Sequence, residues 1–339
     1  MSARRRKALI AGITGQDGTL LTRLLLDRGY VVEGLVRHSG AVDRSRLVAL
    51  EVADRVTLLP ADLADAAILA RIVAAVAPDE IYNFAAQSSV ARSFTEVGPT
   101  IALNTLSVVN LLEATRVAAG GAKFYQASSS EMFGNADRLP IDETTPMRPV
   151  SPYGISKVAA HQIATHYREA HGMFVACGIL FNHESALRPA YFVTKKIIAA
   201  AVRIAAGSDE RLKLGDLTIR RDWGYAPDYV AAMAAMLQQD DPADFVICSG
   251  AAHTLEAFVA AGFAAAGLDW RRHVDSDPSL RRPTEIAVTY GDPGRARRRL
   301  GWRYELGFEE MVARLVRDEV LLQRDDRLRL ARDEAAIPA

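Results

Sequence analysis

Through the first half of the chain, short apolar runs alternate with amphipathic stretches at a steady rhythm. Residues 7–12, 31–36, 56–59, 80–84, 123–128 and 174–180 are rich in Val, Ile, Phe and Leu, the pattern of strands buried on both faces. Between them, residues 18–28, 66–77, 101–118 and 152–171 repeat apolar positions every three or four residues, which predicts helices. This alternation predicts an α/β fold with a doubly wound parallel Rossmann sheet. Past residue 185 the rhythm loosens. Helical segments at 193–206, 226–237, 255–266 and 308–322 mix with short strands at 211–214 and 244–248, and proline-bearing loops break in at 186–189 and 277–283. We read residues 1–185 as the sheet domain, with return segments from about 222–250. Residues 186–325 read as a smaller C-terminal α/β substrate lobe, and 326–339 as a charged tail.

Composition narrows the class. The 339 residues are 50% hydrophobic, enough for a substantial core and too apolar for a disordered chain. Basic and acidic side chains balance at 41 each, so no net field draws the chain to nucleic acid or anionic lipid. The Arg4-Arg5-Arg6-Lys7 cluster reads as a solvated terminus, and Gly15-Gln16-Asp17-Gly18 breaks the apolar run that follows it too early for a leader. No run approaches the ~18 apolar residues of a membrane span. A soluble, cytoplasmic protein with no nucleic-acid or membrane partner is expected. Cys177 and Cys248 fall in apolar runs and read as buried, reduced thiols. The histidines show no metal-ligand spacing, so no metal is expected, and His161 and His166 read as solvated.

Chemistry first enters after the first strand. Gly12-Ile13-Thr14-Gly15-Gln16-Asp17-Gly18 spaces three glycines between a strand and a helix, which lets backbone approach a pyrophosphate at the helix N-terminus. The second strand ends in Val36-Arg37-His38-Ser39. An NAD site usually carries a carboxylate there; Arg37 can instead pair with a 2′-phosphate, so NADP is the expected cofactor. Asp62-Leu63 after the third strand is placed to meet adenine. Tyr153 and Lys157 share one helix face four residues apart, and an ammonium beside a phenol favours phenolate, making Tyr153 a candidate base near neutral pH. Ser128-Ser129-Ser130-Glu131 ends the fifth strand, where a doubly wound sheet puts its ligand.

These residues resemble the extended short-chain dehydrogenase/reductases and, within them, the GDP-mannose 4,6-dehydratase family. The likeness runs from Ala8 to about Val316. It is carried by the glycine loop, Ala85-Ala86-Gln87-Ser88, Phe124-Tyr125-Gln126-Ala127-Ser128, Ser151-Pro152-Tyr153-Gly154, Asn182-His183-Glu184-Ser185, Arg221-Asp222-Trp223-Gly224 and Leu300-Gly301-Trp302. The resemblance implies that Tyr153 takes the C4 hydroxyl proton while hydride leaves C4 for NADP⁺, that Lys157 holds the ribose, and that Ser129 hydrogen-bonds the sugar O4. Glu131 is then the acid/base that takes the C5 proton and helps water leave C6, before hydride returns to C6. It implies cofactor contacts at Gly12, Thr14, Gly15, Gln16, Asp17, Gly18, Arg37, Ser39, Asp62, Leu63, Ala85, Gln87 and His183. Substrate contacts are implied at Ser88, Asn182, Arg188, Lys195, Arg221, Arg282 and Glu285, with a nucleotide sugar, GDP-mannose, as substrate and a homodimer or homotetramer as assembly.

The chain departs from the family pattern mainly around its ligands. Ser129 stands for the usual Thr, His38 for a second Arg, Ala190 for Glu, Lys195 for Arg, and Arg281 for an aromatic. Segment 37–56 is shorter than in many relatives. A 4-epimerase, a decarboxylase and a dehydratase of another nucleotide sugar therefore stay open, as does a non-catalytic NADP-binding regulator. The last usually lacks the Tyr or Lys; a carboxylate at Glu131 argues against epimerisation but not against decarboxylation.

Overall fold

The computed structural model describes residues 4–37, 41–280 and 282–324. His38, Ser39, Arg281 and the tail 326–339, all singled out above, lie outside the described residues. The central sheet has seven parallel strands: β1 (Lys7–Ala11), β2 (Val31–Arg37), β3 (Thr57–Ala61), β4 (Glu80–Asn83), β5 (Lys123–Ser129), β6 (Val175–Leu180) and β7 (Asp244–Ile247). Their order is β3-β2-β1-β4-β5-β6-β7. The eight longer helices are α1 (Gln16–Asp27), α2 (Ala66–Val76), α3 (Val97–Ala118), α4 (Pro152–His171), α5 (Val193–Ala205), α6 (Ala226–Met236), α7 (Leu255–Ala265) and α8 (Phe308–Gln323).

Strands this apolar need cover on both faces. Leu20, Leu21 and Leu25 of α1 pack with Tyr229 and Met233 of α6 on one face, and Leu69, Val108, Leu111, Ala160 and Ala164 from α2, α3 and α4 cover the other. A further core, built on Ile197, Phe258, Phe263 and Val312, joins α5, α7 and α8. After β6 the chain leaves the sheet, pairs Asn182–Glu184 with Trp223–Tyr225, and returns through α6 to lay β7 beside β6. Helix α3 starts four residues before the predicted 101, because Pro99 falls in its first turn, where a missing N–H leaves no intrahelical bond unmade. The short helices Ser45–Ala49, Val90–Ser93 and Gly294–Leu300 carry too few turns for periodicity to reveal.

The amino edge of the sheet closes around Glu80, which is 3% exposed. Its carboxylate accepts from Tyr30 Oη at 3.0 Å, Tyr82 Oη at 2.8 Å and Gln238 Nε2 at 3.0 Å, and Arg6 lies 3.5 Å away. The carboxyl edge is built differently.

Candidate active site

The first loop is shaped for backbone approach. Gly12 has φ of 85°, and a Cβ there would lie 3.0 Å from the Ala85 nitrogen. A Cβ on Gly18 would lie 2.3 Å from the Gly12 oxygen, so only glycine lets α1 start so close to the strand end. No side chain caps α1, whose N-cap is Gly15, and its first-turn N–H groups form the donor set an anion needs. A pyrophosphate-bearing cofactor fits this cradle.

Several residues expected to touch the cofactor are engaged with one another. His183 Nε2 meets Asp17 Oδ2 at 3.0 Å, and Gln16 bonds Asp17 Oδ1 at 2.9 Å and the His183 carbonyl at 3.1 Å. Ser185 Oγ donates to Gln16 Oε1 at 2.9 Å. Burial acts to raise the Asp17 pKa, but the charge and hydrogen bond of His183 outweigh it and hold the carboxyl at about 2. Burial likewise works against imidazolium at His183, and Asp17 overcomes it, leaving the pKa raised. This network staples α1 to the segment after β6. Arg46, which sequence reasoning missed, adds a clamp from the short helix Ser45–Ala49, donating to Leu187 O at 2.7 Å and Thr14 O at 3.3 Å.

Arg37 is exposed at the tip of β2, and Asp62 is exposed after β3, where its Oδ1 accepts from Ala64 N at 2.9 Å. Asn110 of α3 holds the Leu63 and Ala64 carbonyls at 3.0 and 3.1 Å. Beyond β4, Asn83 Oδ1 accepts from Ala85 N at 3.3 Å. The Gln87 side chain turns to Ser89 and Thr100, while Ser88 is exposed. Asn104 ties this strand end to α4, donating to Gln87 O at 3.0 Å and Ser156 Oγ at 2.9 Å, and Ser156 in turn donates to Tyr153 O at 2.7 Å. Asn104 and Asn110 were overlooked, although two buried amides on a mainly apolar helix were a usable signal.

Tyr153, Lys157, Ser129 and Glu131 converge where β5 meets α4. Ser151 caps α4, its Oγ accepting from Gly154 N at 3.0 Å, which puts Tyr153 in the first turn. A Cβ on Gly154 would lie 2.6 Å from the Glu131 backbone carbonyl oxygen, so glycine lets the helix pack against the main chain at Glu131. Lys157 Nζ donates to the Ala127 carbonyl at 2.8 Å and lies 5.9 Å from the Tyr153 ring centroid. The expectation that Lys157 makes Tyr153 a base near neutral pH needs correcting for the protein alone. Burial pushes the phenol up to about 12, opposed by the Ser129 hydrogen bond and the charge of Arg188. Burial also lowers Lys157 to about 8, against the pull of Asp17. Glu131 is raised above the ordinary carboxyl range by burial, with Arg282 and Arg221 pulling the other way and Glu285 adding to the rise. Among the described residues, no hydrogen bond reaches its carboxylate.

Outside the central sheet, Arg221 donates to Glu285 Oε1 at 2.7 Å and Ile286 O at 2.6 Å, and Arg282 lies 3.5 Å from the same Glu285 oxygen. Asp222 holds this region to the end of β7, accepting from Ser249 N at 2.8 Å and Gly250 N at 2.9 Å. Arg188 lies 3.2 Å from Glu184 Oε2, with its guanidinium 3.7 Å above the Phe192 ring. Asn182 is set by pairing with Trp223. Lys195 stands apart: its ammonium is occupied by Glu319 of α8 and the Ala186 carbonyl. His161, expected to be solvated, is 4% exposed and bonded to Ser128 at 2.9 Å. Cys177 and Cys248 are free and buried. No His/Cys/Asp/Glu cluster able to hold a metal occurs among the described residues, nor is any helix there long and apolar enough to cross a membrane.

A family model described as GDP-mannose 4,6 dehydratase matches residues 9–315. GDP-mannose 4,6 dehydratase 1 of Arabidopsis thaliana is 43% identical over 96% of this chain and 92% of its own length. The GDP-mannose 4,6 dehydratase of Homo sapiens is 40% identical over 96% of this chain and 94% of its own. Among solved structures, the dTDP-glucose 4,6-dehydratase DesIV of Streptomyces venezuelae, with NAD and TYD bound, superposes with a TM-score of 0.82 at 25% identity, covering 92% of this chain and 96% of that one.

Proposed function

This chain belongs to the GDP-mannose 4,6-dehydratase family, and from that premise we propose that it converts GDP-mannose to GDP-4-keto-6-deoxymannose with Tyr153, Lys157, Ser129 and Glu131 as its working residues. The observation that carries the reading is the meeting of a half-buried carboxyl at Glu131, its pKa raised, with Tyr153 and Ser129 at the carboxyl edge of the sheet. A bound nicotinamide supplies the hydride acceptor, and later the donor, so the reaction is redox-neutral. Tyr153 takes the C4 hydroxyl proton, and Ser129, whose hydroxyl lowers the phenol's pKa, orients the sugar oxygen. A ketone at C4 acidifies C5–H; Glu131 takes that proton and passes it to the departing C6 hydroxyl, which leaves as water, and the proton held by Tyr153 then restores C5–H as hydride is returned to C6. Glu131 is suited to both halves of that transfer, because burial holds its pKa above that of an ordinary carboxyl. The phenol at about 12 needs further positive charge before it works as a base near neutrality, and a bound, oxidised nicotinamide carries one.

Arg221 and Arg282, facing each other across Glu285, suit a diphosphate. The uncapped start of α1 and the glycine cradle suit the cofactor pyrophosphate, and Arg37 at the β2 tip supports NADP over NAD. Residues 1–185 with β7 would then form the cofactor domain and 186–325 the substrate lobe. Exposed Leu106 and Val117 on α3 and Ile155 on α4 support self-association through that helical face.

The test is mass spectrometry of the purified protein incubated with GDP-mannose and catalytic NADP⁺. A product lighter by one water, with no accumulated NADPH, is expected. Unchanged GDP-mannose would overturn the reading and turn attention to Ala190, Lys195 and Arg281.

A further inference from the structure

Helix α4 carries a polar stripe on the face it turns to the sheet, and the mechanism accounts for only its first members. Tyr153 meets Ser129, Lys157 meets the Ala127 carbonyl, and one turn further His161 meets Ser128. Arg168 ends the stripe, holding Val175 O at 3.1 Å and Asp244 at 2.7 and 3.1 Å. His161 Nδ1 lies 2.9 Å from Ser128 Oγ, and its Nε2 lies 3.7 Å from Asp244 Oδ2. The carboxylate side of the ring favours the proton on Nε2, which leaves Nδ1 to accept from the Ser128 hydroxyl.

The groups facing this imidazole come from three elements, Ser128 on β5, Asp244 on β7 and Arg168 on α4 itself, while Cys177 on β6 lies against Ser128 and Asp244. Ser128 and His161 are 3% and 4% exposed, so no water is needed to complete the pair. Burial keeps the imidazole below its ordinary pKa, with Asp244 opposing and Arg168 reinforcing, so the acceptor form prevails near neutrality.

We propose that His161 is a positioning residue for the dehydratase reaction: by accepting from Ser128, with Asp244 behind it, it locks the tip of β5 to α4 and so sets Ser129 opposite Tyr153. This rests on the reading of Tyr153 and Ser129 given above. The lock acts one residue from Ser129, and a displacement of about 1 Å in a catalytic group can cost on the order of 100-fold in rate.

The experiment compares Ser128→Ala, His161→Phe and His161→Asn in the full chain. In Ser128→Ala and His161→Phe, kcat with GDP-mannose falls roughly 10- to 100-fold, while KM and the NADPH Kd from fluorescence titration stay near wild type. His161→Asn, whose amide oxygen can accept from Ser128, recovers most of kcat. Its kcat–pH profile is shallower on the acid side than that of wild type, because one protonation that destroys the acceptor has been removed. Wild-type kcat in Ser128→Ala overturns the proposal, as does a profile of His161→Asn superimposable on the wild type. If His161→Phe fails to fold, Ser128→Ala and His161→Asn decide alone. Turnover retained by Tyr153→Phe would instead sink the underlying reading, so the two failures are distinguishable.

Discussion

Glu80 and Glu131 are carboxylates at opposite ends of one parallel sheet, one buried and one half-buried, and they are treated in opposite ways. At the amino edge, Glu80 accepts from two tyrosine hydroxyls and an amide, with Arg6 at 3.5 Å. At the carboxyl edge, Glu131 is faced by Arg221, Arg282 and Glu285, and no hydrogen bond from the described residues reaches its carboxylate. A buried polar group is ordinarily satisfied, because leaving one unpaired costs about 1–3 kcal/mol. Glu80 is therefore a structural anchor, whereas the half-buried Glu131 has no such set of partners among the described residues. The same backbone design explains the placement: in a parallel sheet, loops after the strands form the crevice where ligands bind, and the opposite edge has only to be closed.

The contrast predicts that the two ends answer differently to mutation. Glu131→Gln and Tyr153→Phe should each lower kcat by roughly 10²–10⁴-fold without lowering Tm. In Glu131→Gln, reduced cofactor should build up, readable at the absorbance of the reduced nicotinamide, because C4 oxidation outlives water loss. Glu80→Ala should do the reverse. It orphans Tyr30, Tyr82 and Gln238, so urea unfolding should show a loss of about 3 kcal/mol or more while kcat holds. A kcat collapse in Glu80→Ala at intact stability would erase the contrast.

Gly18→Ala tests the carboxyl edge by shape alone. Its Cβ meets the Gly12 oxygen and Ile13 Cα, so cofactor affinity by calorimetry should fall along with roughly 1–3 kcal/mol of stability. The smallest effect is on acid stability. Asp17 titrates at about 2 when folded, below an unfolded carboxyl, so its contribution is present above the unfolded value and disappears as pH falls from about 4 to 2. Asp17→Asn should therefore flatten the Tm–pH curve in that window. The raised His183 acts with opposite sign: its contribution is complete below pH ~6.5 and is lost as pH rises through its folded value.

Much of the fold was legible because hydrophobic periodicity is local. The strands and helices of the first half, and the β7 segment, can be read from apolar runs alone. The glycine cradle was legible from its position: glycines at a tight turn are commonplace, but these lie between the first strand and the first helix, with the strand–helix rhythm behind them. His161 was misread because a lone histidine on a helix carries no mark of the Ser128 and Asp244 side chains that enclose it. Lys195 was assigned to substrate on its position in a motif, and Glu319, 124 residues away, is what occupies it. Arg46 gave no signal, since its acceptors are backbone carbonyls at Thr14 and Leu187.

The sequence by itself determined the alternating α/β architecture and the glycine spacing of the first loop, and it singled out Ser129, Glu131, Tyr153 and Lys157 as candidates, the first two through the family resemblance. Only the tertiary structure decided how those groups are tuned. The rise of Tyr153 to about 12, the descent of Lys157 to about 8 and the avidity of Glu131 for a proton come from burial and from charges on distant segments. Desolvation and Coulomb interactions act through space, and no spacing along the chain records them.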